Sequence, residues 1–128
     1  MCGAGRLILV VDDDPVDRRK TIAILTNAGF RAVEASTAVE GITAVLTLGP
    51  DLVLVDYAMP EVNGYDVISA MRAIEGIRST PVIVLSAWQS DTVRQRCRGL
   101  GALWLDKAAS AGTLVKMVER SIGAMGSG

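Results

Sequence analysis

Three stretches of this chain are apolar almost without interruption: "RLILVV" (Arg6–Val11), "DLVLVD" (Asp51–Asp56) and "PVIVLS" (Pro81–Ser86). A strand with one wet face alternates apolar and polar side chains, because successive residues point to opposite faces. These runs do not alternate, so they read as strands covered on both sides. Segments of helical period separate them. The combination predicts a parallel sheet with helices on both faces.

The elements follow in order. Asp14 suits a helix N-cap and Pro15 its first turn. That helix is expected to reach about Ala28, with Ile22 and Leu25 inward, and Gly29 to stop it. "FRAVEA" reads as the second strand. Thr37 and Glu40 have capping-box spacing for a second helix, with Val39, Ile42 and Leu46 as its inner stripe. Gly49-Pro50 ends it. After the third strand, Gly64 opens a helix with Val67, Ile68, Met71 and Ile74 on one side. A fourth helix starts near Ser90 or Asp91 and carries Val93, Cys97 and Leu100. "ALWLD" is the fifth strand, and Thr113–Ile122 the fifth helix, with Leu114, Val118 and Ile122 inside. The domain is expected over residues 6–122, with a flexible start at 1–5 and a flexible tail at 123–128. For five strands and five helices the expected architecture is the doubly wound, flavodoxin-like sheet in order 2-1-3-4-5.

Composition narrows the function. The chain has 128 residues, enough to bury a core without disulfides or a structural metal. Half is apolar but only 4% aromatic, so the core is aliphatic. A net charge of −1 gives no nucleic-acid footprint. No apolar run has membrane-spanning length, and the first residues lack the order of a secretory signal. Cys2 and Cys97 read as free thiols of a reducing cytoplasm. There is no histidine. Histidine triads, histidine metal sites and histidine bases are excluded, and any histidine the chemistry needs must come from a partner.

In this architecture the carboxyl ends of the strands gather at one edge, and ligands bind there. Those ends carry Asp12, Asp13 and Asp14 (strand 1), Asp56 (strand 3), Ser86 (strand 4), and Asp106 with Lys107 (strand 5). Crowded carboxylates must protonate or hold a cation. An all-oxygen set suits Mg²⁺, which keeps waters and phosphate oxygens in its shell. Lysine offers a point charge to a phosphate oxygen, and serine a hydroxyl donor. Asp14 reads as a cap, and Asp51 and Asp106 as loop charges.

The motifs "LILVVDDDP", "DLVLVDYAMPEVNGYDVI", "PVIVLSA" and "LDK", in this order and spacing, resemble the response-regulator receiver domains of two-component signalling. The resemblance covers about Arg6 to Ile122. It implies that Asp56 is the phosphoacceptor, and that Asp13, Asp56 and the Ala58 backbone carbonyl hold Mg²⁺ with help from Asp12. It implies that Ser86 bonds the phosphoryl group and that Lys107 pairs with it. The donor would be a phosphohistidine on a histidine kinase or phosphotransfer protein.

It also implies that Trp104, where tyrosine or phenylalanine is more usual, turns inward as a switch. The basic residues Arg94, Arg96 and Arg98 with Trp104 then mark an interface on the fourth helix, fifth strand and fifth helix. That face would take a downstream protein or a second copy. Three residues depart from the family pattern. Ala108 replaces a proline that is usually cis, so a trans Lys107–Ala108 bond is expected, with a possible shift of Lys107. Ala58 and Trp88 cannot orient water with a carboxylate or amide, so the phosphoryl group is expected to be long-lived, with Trp88 shielding it.

The function expected is a cytoplasmic, phosphorylation-controlled interaction module. It would not be an enzyme beyond catalysing its own phosphorylation and dephosphorylation. It would act alone or as part of a longer regulator or hybrid kinase. A degenerate receiver working as a phosphorylation-independent scaffold is the alternative. An aspartate-nucleophile phosphohydrolase would need a second aspartate where Ala58 stands.

Overall fold

The structure, a computed structural model, describes residues 5–126. The strands are β1 (Leu7–Val11), β2 (Arg31–Ala35), β3 (Leu52–Asp56), β4 (Val82–Ser86) and β5 (Leu103–Asp106). The helices are α1 (Pro15–Asn27), α2 (Ala38–Leu48), α3 (Gly64–Ala73), α4 (Asp91–Gly99) and α5 (Ala111–Gly126), alternating with the strands. All strand pairs are parallel, in the order β2-β1-β3-β4-β5. This is the expected flavodoxin-type arrangement. Every residue of β1, β3 and β4 is buried, as their unbroken apolar runs require.

Alternate residues of the strands build two cores. Leu9, Val11, Val53, Val55, Val82 and Val84 pack with Val45 of α2, Val67, Ile68 and Met71 of α3, and Cys97 of α4. Ile8, Val10, Leu52, Leu54, Ile83, Leu85 and Leu105 pack with Leu25 of α1 and with Leu114, Val118 and Ile122 of α5. Helices α2, α3 and α4 therefore cover one face of the sheet, and α1 and α5 the other.

The inner stripe of α2 differs from the sequence expectation. Val39 and Leu46 are 75% and 54% exposed, while Gly41 and Val45 are buried and Ile42 is half-buried. The helix is apolar nearly all round, so its pattern does not select one face. Contact selects it: a Cβ on Gly41 would lie 2.9 Å from Val11 Cγ2, and the missing side chain lets α2 settle on β1. The capping box of α2 is also only half formed. Thr37 accepts the Glu40 N–H, but the Glu40 carboxylate bonds Ser36 instead of Thr37. A complete box, not expected from the sequence, joins Asn63 and Asp66 at the start of α3. Helix α5 starts two residues before Thr113 and continues past Ile122. Residues 123–126, expected in a loose tail, have helical backbone. Glycine weakens a helix by about 1 kcal/mol but does not end one by itself. Cys2 and residues 127–128 lie outside the described residues.

The pole of the molecule opposite the strand carboxyl ends is cross-tied by one side chain. Arg72, near the end of α3, donates from Nε to Leu100 O and from Nη1 to Thr80 O, both at 2.7 Å. No helix among the described residues is long and apolar enough to cross a membrane.

Candidate functional site

The sheet order sets the site. β1 pairs with β2 on one side and β3 on the other, so the connections from β1 and β3 leave in opposite directions. Val11 is in register with Val55, and the next residues are Asp12 and Asp56. The two carboxylates therefore emerge side by side where the order reverses, the usual place for a ligand in open α/β sheets. Asp12 and Asp56 are 2% and 5% exposed; Asp13 faces solvent. One carboxylate oxygen of each of the three lies within 4.8 Å of the others.

Backbone contacts hold these acids. Asp12 Oδ1 accepts the Asp14 N–H at 3.0 Å. Asp56 Oδ1 accepts the Ala58 N–H at 3.1 Å. Gly64 closes the loop after Asp56: its N–H donates to Tyr57 O at 2.8 Å. A Cβ there would stand 3.0 Å from Tyr57 Cα, so the close approach requires glycine.

Lys107 supplies the cation. Its backbone N–H donates to Ser86 O at 2.9 Å, which fixes the end of β5 beside β4. Its Nζ lies 3.2 Å from Asp12 Oδ2, 3.2 Å from Asp56 Oδ2 and 3.0 Å from Asp17 Oδ2. No cis peptide bond occurs among the described residues, so Lys107–Ala108 is trans as expected. The anticipated shift of Lys107 away from the acids does not occur. The turn is closed by Asp106, whose Oδ1 accepts the Ala108 N–H at 2.8 Å, a donor that proline lacks. Asp106, read from the sequence as a loop charge, is the last residue of β5, and its carboxylate serves the turn that follows. Asp14 caps α1, accepting from Val16 and Asp17. Asp51 accepts the Leu7 N–H and pairs with Arg6, away from the site.

Asp17 is the residue that sequence reasoning missed. It lies in the first turn of α1 and makes the shortest of the three Lys107 ion pairs. A fourth acid in "DDDPVD" was the available signal, but it reads first as a helix-dipole partner.

The electrostatics follow from burial and charge balance. Burial pushes the Asp56 carboxyl up from 3.8 to about 6; Lys107 opposes this, Asp12 reinforces it, and the Ala58 N–H opposes it. Burial would lower the Lys107 ammonium, but Asp17, Asp56 and Asp12 together hold it above its ordinary value. One ammonium faces Asp12, Asp56 and Asp17, with Asp13 beside them, so the site is left net negative. An all-oxygen donor set with excess negative charge fits a hard dication such as Mg²⁺.

Ser86 is placed at the site but its hydroxyl is already engaged. It donates to Trp88 O at 2.7 Å and accepts the Trp88 N–H at 3.0 Å. The Trp88 ring, 53% exposed, stands 5.9 Å from the Tyr57 ring, which stands 5.7 Å from the Trp104 ring. Trp104 is half-buried, and its Nε1 is buried without an acceptor among the described residues. Arg94 and Arg98 are exposed on α4, while Arg96 stacks 4.3 Å over the Tyr65 ring. A groove of about 870 Å³ between α1 and α5 opens beside Lys107, lined by Asp17, Thr21, Leu105 and Leu114 among others.

The sequence matches the family described as response regulator receiver domain over residues 8–119. It is 41% identical over 86 residues to the DNA-binding response regulator MtrA of Mycolicibacterium smegmatis, covering 67% of this chain and 36% of that protein. It is 35% identical over 105 residues to the two-component response regulator ORR1 of Oryza sativa subsp. japonica, covering 74% of this chain and 46% of that protein. The match therefore spans less than half the length of these relatives. Among solved structures, the chemotaxis protein CheY4 of Vibrio cholerae superposes with a TM-score of 0.86 at 27% identity, covering 92% of this chain and 99% of that one. A response regulator receiver protein from Pseudomonas putida gives 0.85 at 30% identity, covering 92% and 98%.

Proposed function

This chain belongs to the response regulator receiver domain family, and from that premise we propose that Asp56 takes a phosphoryl group from a phosphohistidine of a histidine kinase or phosphotransfer protein. Receiver domains of response regulators are phosphorylated by histidine kinases and bind Mg²⁺ at an acidic pocket. The observation that carries the reading for this chain is the buried Asp56 carboxylate, 3.2 Å from the Lys107 ammonium and clustered with Asp12 and Asp13. The donor histidine is supplied from outside, since the chain has none.

Asp56 is mostly ionised at neutral pH, as a nucleophile must be. Its oxygen attacks phosphorus, the P–N bond of the donor breaks, and the imidazole leaves with its electron pair and gains a proton. Lys107 meets the negative oxygens of the transferred group. Asp12, Asp13 and Asp56, with the Ala58 carbonyl, would hold Mg²⁺, which neutralises charge on the phosphoryl oxygens when bound. The reaction is the protein's own modification in the cytoplasm and not turnover of a small substrate.

The signal leaves through Ser86. To donate to the phosphoryl group, its hydroxyl must give up Trp88 O. That frees the 86–88 turn, whose indole contacts Tyr57 and through it Trp104. The altered surface is the α4–β5–α5 face with Arg94, Arg98 and Trp104, which takes a partner protein or a second copy. Charge reversal at Arg94 and Arg98 should weaken that association.

The test is intact mass after incubation with Mg²⁺ and acetyl phosphate. One added phosphoryl group, lost in Asp56→Asn and in EDTA, supports the reading. No addition to folded protein would favour the phosphorylation-independent scaffold.

A further inference from the structure

We infer that Asp17 is a positioning residue for Lys107, anchoring its ammonium so that one N–H stays aimed at the group arriving on Asp56. The inference rests on the phosphoacceptor reading of Asp56. Lysine is a flexible four-carbon chain, and an unanchored ammonium samples many positions. Here two hydrogen bonds restrain it: to Asp12 Oδ2 at 3.2 Å and to Asp17 Oδ2 at 3.0 Å. An ammonium has three donors. With two directed at Asp12 and Asp17, the third is left for Asp56, 3.2 Å away, and for a phosphoryl oxygen attached there.

The two anchors differ in kind. Asp12 belongs to the carboxylate cluster that would hold the metal, so a bound metal would draw on the same carboxylate that Lys107 bonds. Asp17 is outside that cluster, on α1, and its side chain is 45% exposed. Its carboxylate is therefore not one that the metal would draw on. It also ties the first turn of α1 to the residue that follows β5. Asp106 complements it by fixing the backbone turn directly after the lysine. Together they place Lys107 through a trans 107–108 bond.

The test compares Asp17→Ala and Asp17→Glu with wild type and uses two readouts. The first is the side-chain NMR order of the lysine ammonium groups in Mg²⁺-free protein. Lys107 should lose order in Asp17→Ala, while the exposed Lys20 and Lys116 should not change. The second is the rate of Asp56 phosphorylation by acetyl phosphate at saturating Mg²⁺. The maximal rate should fall on the order of tenfold in Asp17→Ala with little change in donor KM. Asp17→Glu should recover part of it, and the loss should vanish in a Lys107→Ala background.

Unchanged Lys107 order overturns the anchor. Lost order with an unchanged rate, or an equal loss without Lys107, overturns the role in transfer. Failure of wild type to gain a phosphoryl group removes the phosphoacceptor reading and the transfer role with it. The ammonium order still decides the anchor in that case.

Discussion

Replacing Asp56 by asparagine should stabilise the fold at alkaline pH. The carboxyl is buried and held at about 6 in the native state, against 3.8 for the ordinary group. Between these values the native state binds more protons than the unfolded state, so stability falls as pH rises through that window. Above about pH 6 the penalty is fully present; below 3.8 it is gone. At about 1.4 kcal/mol per tenfold change in acidity, it amounts to about 3 kcal/mol at pH 8 and about half of that at pH 5.

Asparagine resembles the protonated acid in shape and charge and escapes the penalty. Lys107 keeps Asp12 and Asp17 in the variant, so no ammonium is stranded. Urea unfolding in EDTA at pH 8, 6.5 and 5 measures the gap. The variant should be the more stable, with a margin shrinking as pH falls. Mg²⁺ should narrow the gap at pH 8 by binding native wild type more tightly than the variant. Equal stability at pH 8, or a gap that does not change with pH, would refute the assignment of a buried, disfavoured charge to Asp56.

Four further outcomes are expected. Gly41→Ala should lose about 1–3 kcal/mol in chemical denaturation, because the new methyl would sit 2.9 Å from Val11 Cγ2; Val11→Ala in the same chain should recover part. Ala108→Pro should lose about 1 kcal/mol or more, since it deletes the N–H that Asp106 accepts, and a melting curve matching wild type would contradict that reading of the turn. Lys107→Met should destabilise the metal-free protein at neutral pH by a few kcal/mol, because buried Asp12 and Asp56 lose their counter-charge, and Mg²⁺ should restore much of it. Trp88→Ala should shorten the lifetime of phosphorylated Asp56, followed by phosphate release; an unchanged lifetime would remove the shielding role.

What the sequence revealed, and what it hid, divides along physical lines. Asp12, Asp56, Ser86 and Lys107 were legible because each ends a strand or directly follows one, and the strand order alone brings strand ends together. Asp17 was not, because its role depends on how far a side chain ninety positions away reaches across the groove. Ser86 was found, but its bonds to Trp88 were not, since they depend on how a three-residue turn folds. The strands of "RLILVV" type left no freedom of face. Helix α2 left too much: Val39, Ile42, Val45, Leu46 and Leu48 satisfy more than one apolar stripe, and only the contact of Gly41 with Val11 decides. The length of α5 escaped because the small, glycine-rich residues after Ile122 read as a flexible tail, whereas the helix continues through them to Gly126.

The Arg72 cross-tie has a mechanical consequence. It grips Leu100 O at the C-terminal end of α4, and Leu100 N and Ala102 N both turn back onto Cys97 O. The other end of α4 is held by the Ser90 cap, four residues after Ser86. A nine-residue helix rises about 1.5 Å per residue, giving a lever arm of roughly 13 Å. With its far end clamped, a push on the 86–90 turn is converted into pivoting about Leu100 instead of sliding of the whole helix. The largest travel then falls on the first turn of α4, and the smallest on Arg98, next to the fulcrum.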